Sequence, residues 1–217
     1  MLSRRLGTVF ELTPPGGVAD IGTDHGYLAA AYARSGRHCP VIASDVAAIP
    51  LGRAVAYAQS IGIADRIDFR IGDGLTVLEP GEVRTAVIAG IGGQTVAGML
   101  AAGSGPGTPD LIIQPMSRPD VLRRALANSG FAITAEQLVK ENGRIFCIIS
   151  ASPGQMPPMT AAQEAVGLMT GEDPLFGEYL SWVKGFTRKA LEGARSGKNG
   201  EESAGKLSGL LEQLEAL

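Results

Sequence analysis

The stretch Val18-Ala-Asp-Ile-Gly-Thr-Asp-His-Gly-Tyr-Leu28 decides the fold, because a short apolar strand pattern runs into a glycine-containing turn and the turn runs into helical spacing over 27–35. The same grammar repeats down the chain. Val41-Ile-Ala-Ser-Asp45 is a strand pattern, and the helix predicted over 50–61 places Leu51, Ala54, Val55, Ala58 and Ile61 on one side. Residues 67–71 alternate as a strand. Residues 85–89 form a buried apolar run before a helix at about 94–100, and 111–115 is a fifth strand before a helix over 119–129. The next pair differs. Residues 131–139 and 145–150 read as two strands across Lys140-Glu-Asn-Gly-Arg144, and Asn-Gly is a hairpin signal. Strand and helix units in alternation imply an α/β fold: a parallel sheet covered by helices on both faces, to which the hairpin adds an antiparallel strand at the edge or within.

Pro153, Gly154, Pro157 and Pro158 break this rhythm, so 151–158 is expected to be a linker. Beyond it the pattern is helical. Residues 172–195 carry Phe176, Leu180, Val183, Ala190 and Leu191 on one side, and 201–217 carry Leu207, Leu210, Leu214 and Leu217 in a short heptad stripe. Single helices of this length are marginal in water, which predicts an antiparallel helical hairpin over 159–217 behind a domain at 1–158. The alternative is that both helices cap the sheet domain.

The 217 residues suffice for one sizeable domain or a domain with an appendage, and 45% apolar with 19% charged residues excludes a disordered or collagen-like chain. No apolar stretch reaches the roughly 18 residues of a membrane span. Met1 to Arg5 is basic without an apolar run behind it, so no signal peptide is expected and the chain reads as cytoplasmic. Cys39 and Cys147 form no CxxC pair; Cys147, inside an apolar run, reads as a buried inert thiol, and no metal site is expected. The oligomeric state is not legible, with a monomer favoured. A formal charge of −3 argues in bulk against a nucleic-acid partner. By segment the argument weakens: residues 1–159 hold 13 basic and 13 acidic side chains, and 160–217 hold 6 and 9, so the acidic excess lies in the tail.

In a parallel α/β sheet, ligands bind at the carboxyl ends of the strands. The first strand ends in Asp20-Ile-Gly22-Thr-Asp24-His25-Gly26, where glycine lets backbone approach a cofactor and Asp20 suits a cationic one. Asp45, ending the second strand, is placed to accept from both ribose hydroxyls of an adenosyl group. Gly72-Asp73 follows the third strand, where Asp73 can accept from an adenine amine, and Gly90-Ile-Gly92-Gly93 follows the fourth. The rival cofactor is a nicotinamide dinucleotide. Asp24 stands where a G-x-G-x-x-G turn needs its second glycine, and the crevice acids would repel a pyrophosphate, so S-adenosylmethionine fits better.

Leu2-Ser-Arg-Arg-Leu6, Ala19-Asp-Ile-Gly-Thr-Asp-His-Gly-Tyr-Leu28, Arg70-Ile-Gly-Asp-Gly-Leu75, Ile88-Ala-Gly-Ile-Gly-Gly93, Ile113-Gln-Pro115 and Pro174-Leu-Phe176 resemble the bacterial tRNA adenine-N1 methyltransferases of the TrmK family. The resemblance runs over essentially the whole chain. It implies a class I, Rossmann-like methyltransferase domain with a coiled-coil-like helical tail, methylating N1 of adenine 22 in the D-arm of tRNA with S-adenosyl-L-methionine. Its cofactor residues carry over to Asp20, Gly22, His25, Asp45, Gly72, Asp73 and Gly90; Gly26 stands where the family has Ala, and is included.

Adenine N1 already carries a lone pair, so positioning and tolerance of the cationic product matter more than a strong base. Asp24 is the candidate to offset that charge and Tyr27 to border a flipped base, with Gly92 and Gly93 leaving room and Gln114-Pro115 reading the base edge. For Asp24, His25 and Tyr27 the alternatives are a helix cap, a structural hydrogen-bond partner and plain core. Phosphate contacts must hold the tRNA; the candidates are Arg4, Arg5, Arg118, Arg123 and Arg124, and on the first tail helix Lys184, Arg188 and Lys189. Two other functions stay open: a nicotinamide-binding oxidoreductase or sensor, and a catalytically silent RNA-binding module on the same fold.

Overall fold

Strands β1 (Val18–Ile21), β2 (Val41–Asp45), β3 (Asp68–Ile71), β4 (Thr85–Ile91), β5 (Asp110–Pro115), β6 (Phe131–Glu141) and β7 (Arg144–Pro153) form one sheet in the order β3-β2-β1-β4-β5-β7-β6. The computed structural model describes residues 2–103, 106–168, 173–196 and 200–217. The helices are α1 (Arg4–Leu12), α2 (Tyr27–Ser35), α3 (Ala48–Ser60), α4 (Gly93–Gly103), α5 (Pro119–Asn128), α6 (Ala161–Val166), α7 (Phe176–Ser196) and α8 (Glu201–Glu215). Two compact units are present, Met1–Met156 and Pro157–Leu217.

In the first unit β1 to β5 are parallel, and every residue of β1 and β2 is buried, which is why these strands read as unbroken apolar runs. The chain winds outward from β1 through β2 to β3 and then returns to lay β4 on the other side of β1. That reversal opens a crevice at the carboxyl ends of β1 and β4. Right-handed crossovers on the two sides of it send α2 and α3 to one face and α4 and α5 to the other. The hairpin strand lies within the sheet: β7 runs antiparallel between β5 and β6. Asn142 and Gly143, both at positive φ, make the two-residue turn that sets its register.

One helix and several boundaries differ from the sequence reading. Helix α1 was not anticipated, although Leu2, Leu6, Val9 and Phe10 have helical spacing; they pack on a core shared with α2 and α3, and the Ser3 hydroxyl accepts from the Leu6 N–H at 3.4 Å. Helix α3 starts before Pro50, which the first turn tolerates because its N–H groups lack intrahelical partners. Strand β7 takes the first residues of the expected linker, since Ala151 to Pro153 still pair with β6.

Arg123 on α5 is a correction of another kind. It is wholly buried in an ion pair with Glu136 at 2.8 Å, so its charge serves the interior and not a phosphate. Cys147 is buried as expected, and burial pushes its thiol up to about 11, away from reactivity.

In the second unit α7 and α8 pack together as the expected helical pair, and among the described residues a short third helix, α6, joins them. Short α6 opens with a capping box between Thr160 and Gln163, and the Ala162 N–H donates to Gln213 of α8 at 3.2 Å. Buried Tyr179, Leu180, Val183 and Leu191 of α7 and Leu214 of α8 form its apolar seam, while Leu217, the end of the leucine stripe, is exposed.

Candidate active site

Asp20 closes the β1 turn from inside. Its Oδ2 accepts from Thr23 Oγ1 at 2.7 Å and from the Ala29 N–H at 3.2 Å, and the residue is 3% exposed. Burial pushes its carboxyl up to about 6; the two hydrogen bonds oppose the rise and the charge of Asp45 adds to it. At neutral pH Asp20 is therefore an anion held at a cost, and a cation beside it is stabilised. The N–H groups of Gly22 and Thr23 both donate to the Ser44 carbonyl at 2.8 Å, tying this turn to β2.

The turn then reaches Asp45. Asp24, at a left-handed φ of 48°, donates its N–H to Asp45 Oδ2 at 3.3 Å, and Asp45 Oδ1 accepts from the Ala47 N–H at 3.0 Å. A carboxylate offers about four acceptor sites, so two remain for hydroxyl donors. The Gly72 N–H donates to the Asp45 carbonyl at 3.1 Å, and exposed Asp73 next to it has no side-chain partner among the described residues. Two exposed apolar side chains accompany these acids: Val46 (68%), next to Asp45, and Ile71 (61%), which pairs with Asp45 in register. Large aliphatic groups left in water on the rim of a crevice suit the faces of a flat ring. The sequence reading missed both, although each is an apolar residue beside or before an acid at a strand end.

Asp24, His25 and Tyr27 form a second cluster. The Asp24 carboxylate lies 3.5 Å from His25 Nε2 and 3.8 Å from Arg53 Nη1, and α2 is capped by Gly26 without a side-chain hydrogen bond, so Asp24 is not its cap. Gly26, at φ 70°, also lets α2 approach α3, since a Cβ there would meet that of Ala54 at 2.8 Å. Tyr27 is 49% exposed, which rules out plain core; it stacks on His25 with centroids 5.5 Å apart and meets Tyr57 edge-on at 4.9 Å.

The third cluster lies at the ends of β4 and β5, where Gly90 takes φ 86° at a bulge between Ala89 and Ile91. A Cβ on Gly90 would come within 4.0 Å of Arg5 Nη1, so the guanidinium of α1 borders this turn. Arg5 donates from Nη1 to Gln114 Oε1 and from its backbone N–H to Glu141 Oε1 at 2.9 Å. Gln114 is fully buried and its Nε2 donates to the Pro115 carbonyl at 2.8 Å, so both ends of its amide are engaged within the protein. The space beside Gly93 belongs to the turn after β5: a Cβ would sit 2.3 Å from the Arg118 carbonyl oxygen, and the Gly93 N–H donates to Ser117 at 2.8 Å. Gly92 faces the Ser117 hydroxyl there, and Arg118 itself pairs with Asp120 at 2.8 Å. Arg4 is exposed.

Of the tail candidates, Lys184 is half-buried and Arg188 pairs with Glu215 at 2.7 Å. The same helix carries an exposed ring pair that the sequence reading missed, Trp182 and Phe186, stacked with centroids 6.0 Å apart.

A crevice at the switch point, with acids at three strand ends, an apolar pair flanking them and no glycine-rich pyrophosphate turn, defines a class I methyltransferase. The family model of the methyltransferase domain matches residues 2–149. The chain is 33% identical over 186 residues to the tRNA (adenine(22)-N(1))-methyltransferase of Bacillus subtilis, a match covering 84% of this chain and 76% of that one. The crystal structure of the B. subtilis m1A22 tRNA methyltransferase superposes with a TM-score of 0.89 at 28% identity, over 100% of this chain and 98% of the other. A Streptococcus pneumoniae relative solved in complex with S-adenosyl-L-methionine gives 0.84 at 29% identity, over 100% and 99%. The chain belongs to the tRNA (adenine(22)-N(1))-methyltransferase family.

Proposed function

We propose that the protein transfers a methyl group from S-adenosyl-L-methionine to N1 of adenine 22 in the D-arm of tRNA. The cofactor half of this reading is carried by the conjunction at the strand ends: Asp45 with acceptor capacity to spare, the Asp73 carboxylate without a partner among the described residues, and Val46 and Ile71 exposed beside them; the nucleotide and ring atom are carried by the 33% identity to the Bacillus subtilis tRNA (adenine(22)-N(1))-methyltransferase. An adenosyl group fits that set, with ribose on Asp45, the adenine amine on Asp73 and the ring between the aliphatic side chains. The cofactor supplies an electrophilic methyl on a cationic sulfur, and buried Asp20 supplies negative charge on that side of the crevice.

The remaining work falls to the protein's own residues. N1 of an unpaired adenine needs no deprotonation, so the site acts by holding the base in line and excluding water. Tyr27, backed by His25, offers a ring face to the base. Methyl transfer leaves the base cationic, and Asp24, held between His25 and Arg53, offsets that charge. We further propose that residues 1–158 bind cofactor and base, that 159–217 dock tRNA through Lys184 and Arg188 with Trp182 and Phe186 as stacking surfaces, and that the enzyme works in the cytoplasm. Among the described residues no helix is long and apolar enough to cross a membrane.

Incubation with methyl-labelled S-adenosylmethionine and unmodified tRNA, followed by nucleoside mapping, tests the activity. N1-methyladenosine at position 22 is the expected product. Label in another nucleoside refutes the assigned atom, and no label at all refutes catalysis and leaves a silent RNA-binding module.

A further inference from the structure

Arg144, at the tip of the β6–β7 hairpin, lies against the carboxyl end of β5. Its Nη2 donates to the Met116 carbonyl just past β5 at 2.7 Å, and its guanidinium sits over the Phe146 ring, 5.0 Å from the centroid. The Arg5 guanidinium lies 5.6 Å from the centroid of the same ring and is bonded to Gln114, two residues before Met116. Two cations therefore share one aromatic ring at the carboxyl end of β5.

The local anion does not balance them. Glu141 accepts the Arg5 N–H at the start of α1 and lies 3.7 Å from Arg5 Nε, so its charge is shared between a helix N-terminus and one of the two guanidiniums. Arg144 has no carboxylate within ion-pair distance among the described residues, and neither does exposed Arg4 next to Arg5. Two guanidiniums beside a single carboxylate leave a net positive charge there, and an anion that bridges them is stabilised. With Nη2 fixed by a main-chain carbonyl, the Arg144 fork has its direction set before any ligand arrives, and a phosphate matches that fork.

We propose that Arg144, with Arg5, binds a backbone phosphate next to the nucleotide whose base enters between Gly90 and Tyr27. This rests on the tRNA methyltransferase reading and adds a hairpin residue that the sequence did not single out. Held there, the phosphate anchors the flipped nucleotide by its backbone, and base selection is left to the crevice.

The test is the salt dependence of tRNA handling by Arg144→Ala and Arg144→Lys, measured as KM for unmodified tRNA and as tRNA retention on filters, between 50 and 200 mM salt on the order used for counting phosphate contacts. Arg144→Ala is expected to raise KM at the lower salt by roughly five-fold, to act less on kcat, and to flatten the log–log salt slope by about 1. Arg144→Lys should keep the slope and recover part of the affinity. An unchanged slope for Arg144→Ala overturns the proposal, including where turnover or melting temperature falls, because a purely structural clip onto Met116 would not alter counter-ion release. Wild-type protein that retains tRNA with a normal salt slope but methylates nothing would refute the enzymatic reading instead, with the filter assay still deciding the role of Arg144.

Discussion

Replacing Asp20 by Asn should make the protein more stable and a worse methyltransferase. The folded state holds the Asp20 carboxyl at about 6 against an ordinary value of 3.8, mainly through burial. A raised carboxyl pKa means that the fold prefers the protonated form. The penalty is absent below 3.8, grows as pH rises toward 6 and is constant above. At neutral pH it amounts to about 3 kcal/mol. Asn removes the ionisation, and its carbonyl oxygen can accept from both Thr23 Oγ1 and the Ala29 N–H, because both bonds now converge on one oxygen. Asp20→Asn should therefore gain up to about 3 kcal/mol at pH 7.5, a rise of roughly 6 to 12 °C in the melting temperature for a chain of this size. The gain should shrink between pH 6 and 4 and vanish below. S-adenosylhomocysteine lacks the sulfonium charge, so calorimetric affinity for S-adenosylmethionine should fall by about ten-fold and for its product by less. The assay is thermal denaturation of both proteins across pH 4 to 8. A variant no more stable than wild type at pH 7.5, or one whose advantage does not change with pH, refutes the reasoning.

Asp45→Asn places an amide where the Asp24 N–H or the Ala47 N–H now donates; loss of a charge-assisted acceptor should weaken S-adenosylhomocysteine by ten- to a hundred-fold, about 1.5–3 kcal/mol, by isothermal titration, and unaltered affinity would remove Asp45 from the ribose site. Gly93→Ala drives a methyl group against the Arg118 carbonyl oxygen; overpacking of backbone should cost about 1–3 kcal/mol in denaturant unfolding, and a wild-type midpoint would show that this turn gives way freely. His38, buried between Phe10 and Tyr32, has its pKa lowered, chiefly by burial, so the unfolded chain takes up its proton first and stability drops as pH falls below 6.5. His38→Phe should lessen the change in stability between pH 7.5 and 5.5 relative to wild type, and an identical pH profile would count against a neutral buried imidazole.

The candidate site was legible wherever its chemistry is local. Asp20, Asp45 and Asp73 stand at strand ends, and a strand end can be read from the place where an apolar run stops and a turn begins. For Arg5 a basic N-terminus suggests phosphate, and nothing near it in sequence shows that the fold brings its guanidinium to Gln114, 109 residues along the chain, and beside the Phe146 ring. Arg123 was misread for the same reason. Its helix has a plain amphipathic pattern, and nothing near it in sequence announces that Glu136 waits across the interior.

What the sequence by itself determined is the alternation of strand and helix, the acids and glycines of the crevice, and the kind of cofactor they admit. These depend on burial period and turn chemistry, which act over a few residues. The tertiary structure alone decided that β7 inserts between β5 and β6, that Gly93 serves the packing of two turns, and that Arg5 and Arg144 converge on Phe146. Each of these is a meeting of residues far apart in the chain, and spacing along a sequence carries no record of which distant side chains the topology brings into contact.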